Sequence, residues 1–213
     1  MKLSLVSLLL GGLLSAPSFA VTRRQNQLQE LLAVVTSYDS PPAEGMLRVL
    51  HSEVESIFKI ETVRIVWRDH REVDGHEAFD HLVVARFTGH CEMLIEGESD
   101  RRRTTLGFTH VSDGKVIPFL QIDCDRLAAL LGPTHVTEPI ARRQLLFGRA
   151  LGRVLCHEIY HVIAETQAHN TRGLAKPGLT PQELMSDWMG FEKSDLDRMQ
   201  EKIEESMPEI NSR

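Results

Sequence analysis

The stretch RALGRVLCHEIYHVIA, residues 149–164, decides the fold of this chain. Its apolar residues recur every three to four positions, and the same spacing continues upstream to Ile140, which predicts one long helix ending near Ala164. Because the helix is apolar over most of its circumference, we expect it to be buried on most sides. Polar side chains inside a protein cost free energy unless they have partners, so the histidines and the glutamate of this helix need an explanation.

The polar residues of the helix form the pattern His157-Glu158-Ile159-Tyr160-His161. Residues four apart on a helix have Cβ atoms about 5–6 Å apart, so both imidazoles can reach one Zn²⁺ ion at about 2.1 Å. Glu158 is rotated from His157 by about 100° around the helix axis. This places its carboxylate beside a water held by the metal, where it can act as the general base.

A hydrolytic zinc site uses three protein ligands and keeps one position open. His169 is the leading candidate for the third ligand, because the chain can turn back after the helix through Asn170 and Gly173. Glu183 is the competing candidate. In the run Thr180-Pro181-Gln182-Glu183 it also completes a capping box, which gives it a structural role. The pattern leaves the choice between His169 and Glu183 open.

The remainder of the chain predicts strands before the long helix and short helices after it. Residues 23–60 show helical spacing interrupted by Ser40-Pro41-Pro42, which predicts two helices. Five β-rich runs follow, and the last two flank the turn Ser112-Asp113-Gly114-Lys115, which predicts a hairpin. The five predicted strands cover residues 63–67, 82–87, 91–95, 105–110 and 116–122.

A short helix is predicted at residues 125–131, and Thr137 is the predicted N-cap of the long helix, with Pro139 in its first turn. The capping box starts a further helix, and residues 195–206 form the last one. These elements predict an α+β fold in which a mixed, twisted sheet of four or five strands packs on the long helix. The predicted single domain, residues 21–213, has a strand-rich upper part to about residue 164 and a smaller helical lower part from 165 to 213.

Residues 1–20 have the pattern of a secretory signal peptide. Lys2 precedes an apolar core of roughly a dozen residues, too short for a membrane span, and small residues at 18 and 20 predict cleavage after Ala20. We therefore expect a secreted or periplasmic protein without a membrane partner once the signal is removed. The formal net charge of −6 argues against a nucleic-acid partner.

The chain contains three cysteines, Cys91, Cys124 and Cys156. Export permits disulfides, but an odd number leaves at least one thiol unpaired in a monomer. The wide spacing excludes a CxxC zinc or redox motif. We expect at most one disulfide bond, and the spacing does not say which pair forms it.

The motif HExxHxxxxxxxH, formed by His157, Glu158, His161 and His169, resembles the zincin metallopeptidases. Within them it is similar to metzincin-related bacterial secreted forms. The resemblance implies a zincin-like fold, Zn²⁺ on the three histidines, and Glu158 as general base in peptide-bond hydrolysis. The glycine that turns metzincin chains after the helix is Ala164 here, so this turn must be built differently.

A second segment resembles another zincin branch. Residues 183–187 are similar to the ExxSD segment of thermolysin-like gluzincins, in which the glutamate is the third zinc ligand. The sequence thus predicts an exported zinc metallopeptidase acting on a peptide or protein substrate. The alternatives are a non-catalytic zinc-binding or interaction module on the same fold, and a zinc amidase acting on a non-protein amide.

Overall fold

The computed structural model of the protein describes residues 30–60, 63–93, 105–132 and 138–206. Their helices and strands follow in chain order: β1 Glu30–Tyr38, α1 Glu44–Ile57, β2 Val63–Asp69, β3 His81–Thr88, β4 Gly107–Ser112, β5 Lys115–Asp123, α2 Cys124–Leu131, α3 Ile140–Ile163, α4 Pro181–Met185 and α5 Lys193–Ser206. The predicted signal peptide, residues 1–20, lies outside the described residues.

The five strands form one mixed sheet in the order β2-β1-β3-β5-β4. β2, β1, β3 and β5 run parallel to one another, and β4 is antiparallel to β5. The prediction of a mixed sheet with four or five strands is confirmed. The predicted hairpin joins β4 to β5, and Asp113 and Gly114 both adopt positive φ in its turn, as a tight hairpin connection requires.

The first predicted helix is wrong, because Glu30–Tyr38 is the strand β1. β1 lies between β2 and β3, and its five central residues, 32–36, are all buried. A strand with both faces covered is apolar without alternation, and over nine residues its pattern also fits one face of a helix. The second predicted helix is confirmed as α1.

Two further local predictions differ from the structure, and parts of them lie outside the described residues. Cys91–Met93 is not a strand, while residues 94–104 lie outside the described residues. Thr137, the predicted cap of the long helix, also lies outside them. The helix begins at Ile140, so Pro139 occupies the N-cap position and no side chain caps the helix there.

The long helix α3 lies against β3, β4 and β5 on one side and along α1 on another. Gly148 allows the close approach to α1, because a Cβ atom there would lie 2.7 Å from the Met46 carbonyl oxygen. Of the polar residues on α3, Arg153, Glu158 and His161 are buried. In the described parts of the chain, no helix has the length and apolar character needed to cross a membrane.

Candidate metal centre

His157 and His161 project from the same face of α3, as their spacing predicts. Their Nε2 atoms are 3.2 Å apart. The second ring nitrogen of each histidine has a backbone partner: Nδ1 of His157 lies 2.6 Å from the Leu174 carbonyl oxygen, and Nδ1 of His161 lies 2.7 Å from that of Thr166. A carbonyl only accepts hydrogen bonds, so each neutral ring carries its hydrogen on Nδ1 and leaves Nε2 as a lone pair.

The turn after α3 brings His169 to these two rings. Glu165 takes a left-handed conformation with φ of 46°, and the Thr166 N–H donates to the His161 carbonyl at 3.1 Å. Glu165 thus adopts the left-handed conformation that glycine usually adopts after the end of a helix. The chain turns at Glu165, directly after Ala164. The His169 ring then stands 5.2 Å from the His157 ring and 4.8 Å from the His161 ring, between centroids.

The donor set fits a zinc ion. One ring nitrogen from each of His157, His161 and His169 lies within 4.8 Å of the other two. Two zinc ligands at about 2.1 Å and a tetrahedral angle are roughly 3.4 Å apart, and the two facing Nε2 lone pairs are at 3.2 Å. Two lone pairs at this distance repel unless a cation lies between them. Backbone carbonyls that hold Nδ1–H are the usual outer partners of zinc-binding histidines.

Burial keeps His157 and His161 neutral. Burial lowers the pKa of His157 to about 4, although the hydrogen bond to Leu174 opposes this shift and the other two histidines add to it. Burial likewise lowers the pKa of His161, against its hydrogen bond to Thr166. Neutral imidazoles are the form that binds metal, so His157 and His161 need to release little or no proton to bind a metal ion near neutral pH.

Glu158 points from α3 to strand β4 and is 4% exposed. The Thr109 hydroxyl lies 2.8 Å from Oε2 of Glu158 and 3.1 Å from the main-chain carbonyl oxygen of Glu158. Burial raises the pKa of Glu158 to about 7, while the Thr109 hydrogen bond acts in the opposite direction. A carboxyl group with such a pKa can both accept and release a proton near neutral pH.

Glu183, the competing third ligand, is engaged elsewhere. Its Oε1 accepts a hydrogen bond from Lys176 Nζ at 2.6 Å. Its Oε2 accepts one from the Thr180 N–H at 2.9 Å, and the predicted capping box is present in full. The Lys176 ammonium is the main reason that the pKa of Glu183 is lowered to about 2. Among the described residues, the potential metal group contains His169 and not Glu183.

The three histidines and Glu158 line one cleft of about 810 Å³. Strand β4 borders it on one side, and the segment around Leu179 borders it on the other. In the described part of the chain β4 is the last strand of the sheet, so no described strand pairs with its outer edge. The cleft therefore combines the histidine group, a buried carboxyl group and an open strand edge.

Sequence reasoning missed the partners of the site. Thr109 is 49 residues from Glu158 along the chain, and the carbonyl acceptors at Thr166 and Leu174 carry no side-chain signature. Thr109 belongs to a predicted strand, but nothing in the pattern indicates that it contacts the helix. His110, on the same strand, packs against Phe108 at 4.9 Å between ring centroids.

The mixed sheet and the buried helix α3 thus bring three histidines together as a candidate metal-binding group. No protein-family profile matches the chain, and no curated protein matches it. Among solved structures, the chain is similar to the crystal structure of archaemetzincin from Methanopyrus kandleri, with a TM-score of 0.47 and 11% sequence identity. The similarity covers 84% of this chain and 98% of that chain. This likeness is distant.

Proposed function

We propose that this protein is an exported zinc-dependent metallopeptidase. The observation that carries the proposal is the convergence of His157, His161 and His169 beside a buried glutamate in one cleft. Export and cleavage after Ala20 are part of the proposal and rest on the sequence of residues 1–20.

His157, His161 and His169 are the residues that would hold the ion. The fixed tautomers of His157 and His161 direct their two Nε2 lone pairs to a common point. Three protein ligands would leave one coordination position for water or substrate. A zinc ion in such a site supplies Lewis acidity and lowers the pKa of a coordinated water. The backbone acceptors of His157 and His161 keep the two rings oriented for this role.

Glu158 moves the protons of the reaction. Its carboxylate accepts a proton from the attacking water, and the resulting carboxyl group then donates a proton to the amine that leaves. The burial of Glu158 keeps bulk water from competing for its oxygens. The presence of Glu158 among the residues that line the cleft supports this role.

The shape of the cleft suits an extended peptide. The open edge of β4 presents main-chain N–H and C=O groups along the cleft, and a peptide in strand conformation can pair with such an edge. Pairing of this kind holds the peptide backbone without demanding a particular side-chain sequence. The proposed substrate class is therefore an unfolded or extended segment of protein.

The substitution Glu158→Gln tests this function. It keeps the size of the side chain and removes its basicity, so we expect zinc content to stay at the wild-type level while peptide hydrolysis falls by about 10²- to 10⁴-fold. Zinc content is measured by inductively coupled plasma mass spectrometry. Hydrolysis is measured by identifying the cleavage products of a diverse peptide library. Glu201→Gln makes the same change on the exposed side of α5 and serves as the control.

Two outcomes would contradict the proposal. Equal hydrolysis by the wild type and by Glu158→Gln would remove the general-base role. Zinc binding by a wild-type protein that cleaves no peptide would instead favour the non-catalytic module or an amidase for a non-protein substrate.

A further inference from the structure

We propose that Gly107 and Thr109 of strand β4 form a seat that positions the carboxylate of Glu158. The inference rests on the proposed function, because it assigns the seat to the group that moves the proton. Both are positioning residues, since they act through Glu158 and are not assigned a contact with substrate.

Thr109 supplies the hydrogen bond of the seat. Its hydroxyl lies 2.8 Å from Glu158 Oε2 and 3.1 Å from the Glu158 carbonyl oxygen. The hydroxyl has a single hydrogen to donate, and the shorter of the two distances is the one to the carboxylate oxygen, with the main-chain carbonyl oxygen of the same residue close beside it. This arrangement restricts rotation of the glutamate side chain, which otherwise has three rotatable bonds.

The position of Thr109 is itself fixed by the sheet. Thr109 pairs with Leu120 of β5 in the antiparallel ladder, and the register shifts between Thr109 and Val111. Leu120 is 2% exposed and lies in the core. The hydroxyl is thus attached to a rigid element, which is what a group that orients a catalytic side chain requires.

Gly107 supplies the space of the seat. A Cβ atom at this position would lie 3.1 Å from Glu158 Oε1, 3.2 Å from Glu158 Cγ and 3.1 Å from the Gln121 carbonyl oxygen on β5. Gly107 is not among the residues with positive φ, so its backbone conformation is open to other residues. Glycine at this position therefore allows the carboxylate to approach the strand without displacement, and this observation is independent of the Thr109 hydrogen bond.

The hydrogen bond is tested with Thr109→Val, which replaces the hydroxyl with a methyl group of similar size. We expect kcat to fall by about tenfold to a hundredfold, the usual effect of losing a hydrogen bond to a charged group. KM should change by less than about twofold, because the substrate contacts are intact. Thr109→Ser restores the hydroxyl and should recover kcat to within about threefold of the wild type.

The matched control is Thr88→Val. Thr88 lies on β3, and its half-buried hydroxyl donates to the Ile122 carbonyl oxygen at 3.3 Å, away from the cleft. The substitution makes the same chemical change in the same sheet, so it shows how much kcat changes when a strand hydroxyl away from the cleft is lost. We expect its kcat to equal that of the wild type. Equal losses in Thr88→Val and Thr109→Val would overturn the proposal.

Gly107→Ala tests the space of the seat independently. The added methyl group displaces the carboxylate, so kcat should fall while zinc content stays at the wild-type level. Wild-type kcat in both Gly107→Ala and Thr109→Val would overturn the seat and leave the proposed peptidase function standing.

Crystal structures of the metal-free wild type and Thr109→Val give a readout that does not depend on activity. The seat predicts one Glu158 rotamer in the wild type and a different or mixed rotamer in the variant. An unchanged rotamer overturns the proposal. If the wild type cleaves no peptide, the proposed function fails, and the two crystal structures still decide whether the seat exists.

Discussion

The three candidate zinc ligands differ in how firmly the chain holds them. His157 and His161 share one helix and each has a backbone acceptor for Nδ1. His169 lies beyond the helix, and Asn170 holds the chain there through its N–H, which donates to the Ala175 carbonyl oxygen at 2.8 Å. The side-chain amide of Asn170 also donates to Asp195 on α5 at 3.1 Å. The third ligand thus depends on the turn and on a contact to the last helix.

The choice between His169 and Glu183 is testable by metal binding. His169→Ala should weaken zinc affinity by more than the roughly 10- to 100-fold that follows loss of an outer partner, because a direct ligand is removed. Glu183→Ala should leave zinc affinity unchanged and reduce stability by about 1 kcal/mol through loss of the capping box. Competition with a chromophoric chelator measures the affinities. Loss of zinc in Glu183→Ala with retention in His169→Ala would assign the third position to Glu183.

The helical half of the site could be predicted from the sequence, and its surroundings could not. A spacing of four on an apolar helix places two imidazoles together whatever the rest of the fold does. The position of His169 depends on how the chain turns at Glu165, and the seat of Glu158 depends on a strand 49 residues away. Contacts of this kind follow from tertiary packing, so only the structure reveals them.

The elements were predicted well where their pattern was long or clearly alternating. α3 has 24 residues and a clear helical period, and it ends at Ile163, next to the predicted end. The prediction of a helix at β1 is wrong because a strand covered on both faces loses the period of two. The hairpin of β4 and β5 was predicted because its turn residues are specific for that geometry.

The close packing of α3 against α1 depends on Gly148. Gly148→Ala places a Cβ atom 2.7 Å from the Met46 carbonyl oxygen and 2.9 Å from Val49 Cβ. Overpacking lowers the free energy of unfolding by about 1–3 kcal/mol. The higher helix propensity of alanine raises it by up to about 1 kcal/mol. We expect a net loss of about 1–2 kcal/mol in the free energy of urea unfolding.

The control for this prediction is Gly178→Ala. A Cβ atom at Gly178 would have no neighbour within 4 Å, so its stability should stay within about 0.5 kcal/mol of the wild type. Wild-type stability in Gly148→Ala would mean that the two helices are not in close contact.

At the scale of the whole molecule, the cleft is assembled from distant parts of the chain. β4, α3 and the segment that follows α3 each contribute one wall. α2 also borders the cleft, through Leu130. The disulfide bond between Cys91 and Cys124 ties the start of α2 to the segment after β3, and Cys156 remains as a buried free thiol. One bridge and one free thiol agree with the expectation of at most one disulfide.

The disulfide should stabilise the whole fold. It closes a loop with a sequence separation of 33 residues, for which the chain-entropy effect is about 3–4 kcal/mol. The double substitution Cys91→Ser with Cys124→Ser should therefore lower the free energy of unfolding by about 2–4 kcal/mol. A reducing agent should shift the unfolding midpoint of the wild type and leave that of the double variant unchanged. A wild-type midpoint that does not respond to reduction would contradict this prediction.

The most direct test of the central claim is the metal itself, located by anomalous diffraction above and below the zinc absorption edge. The crystals must come from protein purified without chelators. We expect one zinc peak at about 2.1 Å from a ring nitrogen of each of His157, His161 and His169. A protein that holds no metal there, or one in which Glu183 replaces His169 at the ion, would contradict the account.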